Sequence, residues 1–188
     1  TNAAFKRFLD ASGYRPADDH NFLADWKDGA PRAGWDNKPV TWVSIEDARA
    51  YAAWAGKRLP HAWEWQYAAQ GTDGRLYPWG NAWREDAAPP VFRGRVLPPP
   101  AEVGAYPAGA SPFGVMDLVG HVWQWTDEFH DEHTRAAIVR GGSDYEPRTS
   151  HWYFPQAKRL DQHGKLLLMA PGKDRSARIG FRCVVDAA

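Results

Sequence analysis

The sequence is poor in cysteine, in net charge and in long apolar runs. Its 188 residues contain one cysteine, and 23 basic residues balance 23 acidic ones. A single thiol excludes an internal disulfide and any chemistry that needs two thiols from this chain. Balanced charge gives no long-range attraction to phosphate backbones or to anionic membrane surfaces. We therefore expect neither a nucleic acid nor a membrane as a partner.

No stretch of the sequence reads as a membrane anchor or a leader. No apolar run approaches the roughly 20 residues that a membrane span needs. The opening residues, Thr1-Asn2-Ala3, do not place a basic region before an apolar one. The sequence therefore predicts a soluble chain and gives no indication of its compartment. Cys183, within the apolar run 181–185, is predicted to be a small buried hydrophobic residue.

Aromatic residues, glycine and proline are abundant instead. The chain has 11 tryptophans, 17 glycines and 15 prolines. Each aromatic ring buries a large area, so a few short elements and many ordered loops can share one core. The length suits one well-buried core and is too short for two. We therefore predict one loop-rich α+β domain.

Helices are predicted in the first half of the chain and short strands in the second. Apolar spacing and terminal signals favour helices over residues 2–12, 45–55 and 61–69, each followed by a glycine. The predicted strands are 40–43, 114–118, 122–125, 137–140 and 180–185. The absence of βαβ alternation argues against a doubly wound sheet.

Several ordered strings carry a resemblance to a known family. They are Pro39-Val40-Thr41-Trp42-Val43-Ser44, Gly56-Lys57-Arg58-Leu59-Pro60, Tyr77-Pro78-Trp79-Gly80-Asn81, Gly120 to Trp125, Arg140-Gly141-Gly142-Ser143 and Gly180-Phe181-Arg182. In this order they resemble the formylglycine-generating enzyme family, also called sulfatase-modifying factor domains. That family includes the second domain of the iron-dependent sulfoxide synthases of ergothioneine biosynthesis. The resemblance implies an irregular, loop-rich α+β fold related to C-type lectins.

The resemblance also implies where the chain sits in a longer protein. Family members usually carry a further N-terminal strand region before the segment that resembles Thr1 to Phe8. We therefore expect residues 1–188 to be a single formylglycine-generating-enzyme-like domain that lacks this region. The sulfoxide synthases hold most of their three-histidine iron site in a separate helical domain, which this chain lacks.

The sequence departs from the family at the copper site. Copper-dependent members carry two cysteines, five residues apart, after the Arg-Gly-Gly-Ser string. Counted from Arg140-Gly141-Gly142-Ser143, those positions are Glu146 and His151 here. Copper(I) selects thiolate ligands, which a carboxylate and an imidazole do not supply. Formylglycine generation by the copper and cysteine mechanism is therefore not expected.

Two other stretches suggest metal ligands. Asn81 resembles a ligand of one calcium site of the family, and Asp86 is placed to assist it. Calcium is not expected at residues 120–125, where imidazole and amide side chains replace the amide and carboxylate found in the family. Residues 127–133 hold two histidines among four carboxylates, which are the ligand types of a two-histidine, one-carboxylate iron site. The alternative for 127–133 is a solvated acidic loop, and residues 173–175 are predicted to be a solvated turn.

The loop after Ser143 is the predicted ligand site. Aromatic residues mixed with charged and imidazole groups are typical of a small-molecule pocket, and packing of the loop is the alternative. The predicted ligand-binding residues are Asp144, Tyr145, Trp152, Tyr153, Arg159 and His163. Two functions remain open. The first is a ligand-binding or accessory module for a small molecule or peptide, and the second is a metal-dependent oxidoreductase, or one domain of it, that uses Glu146 and His151.

Overall fold

The structure is a computed structural model that describes residues 1–131, 133–146 and 156–186. His151, Trp152 and Tyr153 lie outside the described residues. The elements, in chain order, are α1 (Asn2–Ser12), α2 (Ile45–Trp54), α3 (Ala62–Gln70), a 3-10 turn (Pro107–Gly109), β1 (Trp123–Phe129), β2 (Ala136–Arg140), β3 (Gly164–Leu167), α4 (Pro171–Asp174) and β4 (Ile179–Phe181). The predicted α+β class, with helices early and strands later, is confirmed.

Local signals fix the start of α2 and the end of α1. Ser44 accepts a hydrogen bond from the Asp47 backbone N–H, and the Asp47 side chain accepts one from the Ser44 N–H. This reciprocal cap satisfies two donors that the first helical turn leaves free. Gly13 ends α1 in the left-handed region at φ 63°, where a side chain is disfavoured. All three predicted helices are confirmed.

The strands form one four-stranded sheet in the order β3-β2-β1-β4. β2 pairs antiparallel with both β1 and β3, and β4 pairs parallel with β1. The predictions at 122–125 and 137–140 are confirmed as parts of β1 and β2. The prediction at 180–185 is confirmed only for its first residues, and β3 was not predicted.

Two predicted strands are wrong, because each contains a residue with left-handed backbone geometry. Trp42, within 40–43, has φ 58°, and Asp117, within 114–118, has φ 57°. A strand needs negative φ throughout, so these segments are ordered loops. Apolar residues of both segments nevertheless join the core, as Val43 and Leu118 show at 0% exposure.

Among the described residues, three apolar clusters form the core. The inner face of α2 packs on the sheet through Ile45, Ala48 and Ala52, which meet Trp125. A second cluster joins Phe5 and the neighbouring rings of α1 to the loop before α2, and a third joins α3 to the segment before β1. In the part of the chain that the structure describes, no helix has the length and apolarity to cross a membrane.

Residues 173–175 are not the predicted solvated turn. Asp174 and Arg175 are only 6% and 3% exposed. Arg175 reaches back to Asp47 at the start of α2, with Nε to Oδ2 at 2.9 Å. A carboxylate more than a hundred positions earlier therefore decides the burial of this arginine.

Candidate functional site

Two glycines shape the loop that follows β2. Gly141 and Gly142 have φ of 92° and 66°. A Cβ on Gly141 would lie 2.2 Å from the Leu118 carbonyl oxygen, and one on Gly142 would lie 2.0 Å from that of Gln156. Only glycine permits such close approach at these angles. The turn brings the beginning of the loop against its far end, at Gln156.

Asp144 is held by a buried ion pair. Its carboxylate accepts hydrogen bonds from Arg178, with Nε to Oδ1 at 2.5 Å and Nη2 to Oδ2 at 3.3 Å. Both side chains are 6% exposed. The backbone around it is also fixed, since Phe92 N–H donates to the Asp144 carbonyl at 2.7 Å. Asp144 thus positions the loop, and its ligand-binding role stays a prediction that would require release from Arg178.

Glu146 lies between two cations. Its carboxylate accepts from Arg93 Nη2 at 2.7 Å and from Lys158 Nζ at 3.2 Å. Burial alone would raise the pKa of Glu146, but Lys158 and Arg93 together hold it below its usual range. Lys158 also lies over the Trp83 ring, 5.4 Å from its centroid. Glu146 is therefore an ionised group that fastens the loop to two neighbouring segments.

Ser143, Tyr145 and Gln156 border a cavity of about 380 Å³, which we call the loop cavity. Its apolar wall comes from the sheet and the loops around it. The apolar residues are Leu97, Trp123, Val139, Leu166 and Ile179, and charged side chains come from Lys165, Lys173, Asp174 and Arg178. Burial raises the pKa of Asp174. An apolar enclosure with a few polar groups is the usual form of a small-molecule pocket.

Arg159 and His163 do not line the loop cavity as the structure describes it. Arg159 is exposed and pairs with Asp161, with Nη2 to Oδ2 at 2.6 Å. The His163 ring lies 6.4 Å from that of His130. Burial, followed by the charges of Arg140 and Lys165, lowers the pKa of His163. Of the predicted ligand-binding residues, the structure brings Tyr145 to the cavity wall and pairs Asp144 with Arg178, which also lines the cavity.

The predicted calcium ligands are engaged by protein partners. Asn81 Oδ1 accepts the Leu76 backbone N–H at 3.0 Å. The Asp86 carboxylate accepts from Arg84, with Nη2 to Oδ2 at 2.7 Å, and this lowers its pKa. As arranged, these side chains do not fit a calcium ion, because Arg84 would first have to leave Asp86. Calcium at this position stays a prediction.

Residues 127–131 are not a solvated loop throughout, because β1 continues to Phe129. Asp127 pairs with Arg49, and Glu128 accepts the Ala62 backbone N–H. His130 Nε2 lies 2.8 Å from Lys165 Nζ. Across residues 1–131, 133–146 and 156–186, no three histidine, cysteine, aspartate or glutamate side chains are grouped to hold one metal ion. The described carboxylates of this stretch have structural partners.

The sequence interpretation missed a second cavity of about 400 Å³, beside β4. Tyr51, Lys57, Arg182 and Cys183 lie on its wall, and we call it the arginine cavity. Cys183 is half-buried, and burial raises the pKa of its thiol. One signal was present in the sequence. Arg182 stands between the apolar residues Phe181 and Cys183. A charged side chain is rarely buried unless it has a partner, so this position indicated a specific role for the arginine.

Comparison with known proteins identifies relatives over most of the chain. A family model described as "Sulfatase-modifying factor enzyme 1-like domain" matches residues 1–187. The chain is 34% identical over 207 residues to the formylglycine-generating enzyme of Mycobacterium tuberculosis, covering 89% of this chain and 62% of that protein. It is 39% identical over 185 residues to "Inactive C-alpha-formylglycine-generating enzyme 2" of Bos taurus, covering 87% and 57%.

A third relative is named for a different activity. The chain is 36% identical over 153 residues to a hercynine oxygenase of Mycolicibacterium thermoresistibile, covering 67% of this chain and 33% of that protein. The chain therefore spans less than two thirds of the length of these curated relatives.

Solved structures show the same fold. PvdO from Pseudomonas aeruginosa matches with a TM-score of 0.68 at 21% identity, covering 96% of this chain and 75% of that one. CarF matches with a TM-score of 0.66 at 19% identity, covering 98% and 81%. At such identities the likeness concerns the arrangement of the backbone alone.

Proposed function

The chain belongs to the sulfatase-modifying factor enzyme 1-like family, and we propose that it is a ligand-binding or accessory module whose site is the loop cavity. One observation carries this proposal. Both described flanks of the loop after β2 border the same cavity, through Tyr145 on one side and Gln156 on the other. Its volume of about 380 Å³ lies in the range of small-molecule pockets.

The chemistry of the wall favours a ligand with an apolar body and an anionic group. Trp123 and Leu166 supply apolar surface, and Lys165 and Lys173 supply positive charge. A small molecule or a short peptide fits this description. His151, Trp152 and Tyr153 would complete the site from the loop, with the two aromatic rings available for stacking.

Ligand-observed NMR with a set of small aromatic carboxylates and N-acetylated tripeptides tests the site. Compounds that bind the wild-type chain should lose binding in Tyr145→Ala and Trp152→Ala. The matched control is Tyr67→Ala, because Tyr67 is 55% exposed and lies on α3. If no compound binds, or if both variants bind the compounds as well as the wild-type chain does, the loop cavity is not the ligand site.

The proposed module does not use the copper and cysteine mechanism. The one cysteine of the chain, Cys183, lies on the wall of the arginine cavity. Glu146 is occupied by Arg93 and Lys158. This donor set does not fit copper(I), which prefers thiolates. A cysteine-containing sulfatase peptide, incubated with the chain, copper and oxygen, should be converted no faster than with copper alone, and faster conversion would contradict the proposal.

A second candidate is one domain of an iron-dependent oxidoreductase within a longer protein. The similarity to hercynine oxygenase favours it. In that case His151, with Glu146 or another histidine, would contribute from this domain to a site shared with a further domain. Elemental analysis tests the oxidoreductase candidate. Stoichiometric iron that is lost in His151→Ala but kept in the double variant His130→Ala, His133→Ala would favour it, and iron that remains in His151→Ala would exclude His151 as a ligand.

A further inference from the structure

The arginine cavity is separate from the proposed ligand site. It has a volume of about 400 Å³ and shares no lining residue with the loop cavity. Its wall combines the end of β4 with residues from the first half of the chain and from the segment before β1. Neither the family motifs nor the proposed function gives this space a role.

Arg182 is fixed on the wall by neutral partners. Its Nε donates to Gln124 Oε1 at 2.6 Å, and its Nη2 donates to the Met116 carbonyl at 2.9 Å. Gln124 is itself fixed, since its Oε1 also accepts from Trp65 Nε1 at 2.8 Å. None of these acceptors is a carboxylate, so the guanidinium is held in place without being neutralised. Burial lowers the pKa of Arg182 to about 10, which still leaves it charged at neutral pH.

Further donors lie on the same wall. Lys57 and Tyr51 line the cavity, and neither the Lys57 ammonium nor the Tyr51 hydroxyl has a hydrogen-bond partner among the described residues. The same holds for Nη1 of Arg182. Asp117 is the one acidic side chain on the described wall, and its Oδ2 accepts the Gly104 backbone N–H at 2.8 Å. His121 is also present, but burial lowers its pKa. Among ionised side chains, two cations therefore face one anion.

Apolar side chains also line the cavity, among them Phe5, Val40, Met116 and Phe181. We propose that the arginine cavity binds a small carboxylate with an apolar body, its carboxylate on Arg182 and Lys57 and its body against the aromatic wall. A guanidinium makes strong charge-assisted hydrogen bonds to a carboxylate. Because Gln124 and the carbonyl of Met116 already hold the arginine, little side-chain freedom is lost on binding.

The only thiol of the chain reports on this cavity, because Cys183 lies on its wall. The probe is 3-phenylpropionate, compared with the uncharged 3-phenylpropionamide. The measurement is the rate of Cys183 alkylation by iodoacetamide at pH 8.5, with and without each compound. The ratio of the two rates is taken within each variant, since Lys57 itself lowers the pKa of the thiol.

We expect 3-phenylpropionate to slow alkylation at concentrations about tenfold lower than the amide. Lys57→Gln should weaken this protection about tenfold, and Arg182→Gln should abolish it. Lys27→Gln, an equal loss of charge at an exposed position, should leave it unchanged. If Arg182→Gln does not fold, Lys57→Gln and Tyr51→Phe still test the assignment. Equal protection by the acid and the amide, no protection by either, or indifference to Lys57→Gln would overturn the proposal.

Discussion

Residues 171–186 contain three arginines, two of which pair with carboxylates while the third bonds to neutral oxygens. Arg175 pairs with Asp47, both side chains being 0% exposed, and Arg178 pairs with Asp144, both being 6% exposed. Arg182 instead meets the amide oxygen of Gln124. A carboxylate neutralises a buried guanidinium, whereas an amide only orients it. The first two arginines fasten distant segments together, and the third keeps its charge for a further partner.

Of the substitutions that test this comparison, Asp47→Asn should lower the stability of the fold the most. Asp47 accepts from Arg175, from the Ser44 N–H at 2.7 Å and from the Tyr14 hydroxyl at 2.8 Å. Loss of its charge would leave Arg175 buried without an anion, which costs about 3 to 5 kcal/mol. Urea unfolding measures the change. Glu46→Gln, an exposed neighbour on α2, is the control and should change the free energy of unfolding by less than about 0.5 kcal/mol. Equal effects of the two substitutions would contradict the role of the pair.

Asp144→Asn should cost less, about 2 to 3 kcal/mol. Arg178 retains acceptors after the substitution, since Nη2 also donates to the Pro98 carbonyl at 2.8 Å. Arg178 also borders the loop cavity. The substitution should therefore weaken ligand binding at the loop cavity as well as stability, and NMR titration of a ligand found there measures this. Unchanged binding would mean that Asp144 does not position the loop.

Gln124→Glu tests whether the third arginine needs an acid. The Gln124 Nε2 donates to the Asp117 and Leu118 carbonyls, each at 3.1 Å. A glutamate oxygen would face these carbonyls, and the attraction to Arg182 would offset only part of this repulsion. We expect a loss of about 1 to 2 kcal/mol in thermal or urea unfolding. We also expect weaker protection of Cys183 by 3-phenylpropionate. Gln66→Glu on α3 is the control for the added charge. A gain in stability for Gln124→Glu would mean that Arg182 is better held by an acid than by the amide, which would contradict the comparison.

Glu146→Gln should have the smallest effect, below about 1 kcal/mol at pH 7. The pKa of Glu146 is lowered in the folded state. Its ionised form therefore stabilises the fold above the unfolded-state value of about 4.3, and this contribution disappears as the pH falls through the folded-state pKa. The difference between wild type and Glu146→Gln in the urea midpoint should shrink from pH 6 to pH 3. Glu102→Gln, at an exposed position, should show no such trend. A difference in urea midpoint between wild type and Glu146→Gln that grows as the pH falls would contradict the stabilising role of ionised Glu146.

Sequence patterns predicted the elements that depend on neighbouring residues. The reciprocal cap at Ser44 and Asp47 and the glycine that ends α1 lie within a few positions of the helices they limit. The strands β1 and β2 were predicted in part, from the short runs 122–125 and 137–140. β3 was missed because it is four residues long and owes its place to pairing with β2. The segment 40–43 has a strand-like composition, but the backbone at Trp42 turns to meet the Ser176 carbonyl.

The sequence could indicate which loop forms the candidate site, but not which of its side chains face the cavity. The glycines before Ser143 indicated a close turn, and the structure confirms that they meet backbone oxygens. Which side chains face the cavity depended on distant partners. Asp144 is turned towards Arg178, and Lys165 and Lys173 join the wall from β3 and α4. Charge and aromatic content alone could not distinguish a residue that lines the cavity from one that holds a loop in place, because charged and aromatic residues do both.

The sequence by itself determined the family, the helices with their caps and the absence of a thiol pair, because each depends on residue identity or on short-range hydrogen bonds. Tertiary structure alone decided which charges are neutralised. Asp47 and Arg175 are far apart along the chain, as are Gln124 and Arg182. No local pattern records such pairings, since the energy of a buried charge depends on which groups folding brings around it. That distribution of partners leaves Arg182 with neutral hydrogen-bond acceptors, among the described residues, on the wall of an open cavity.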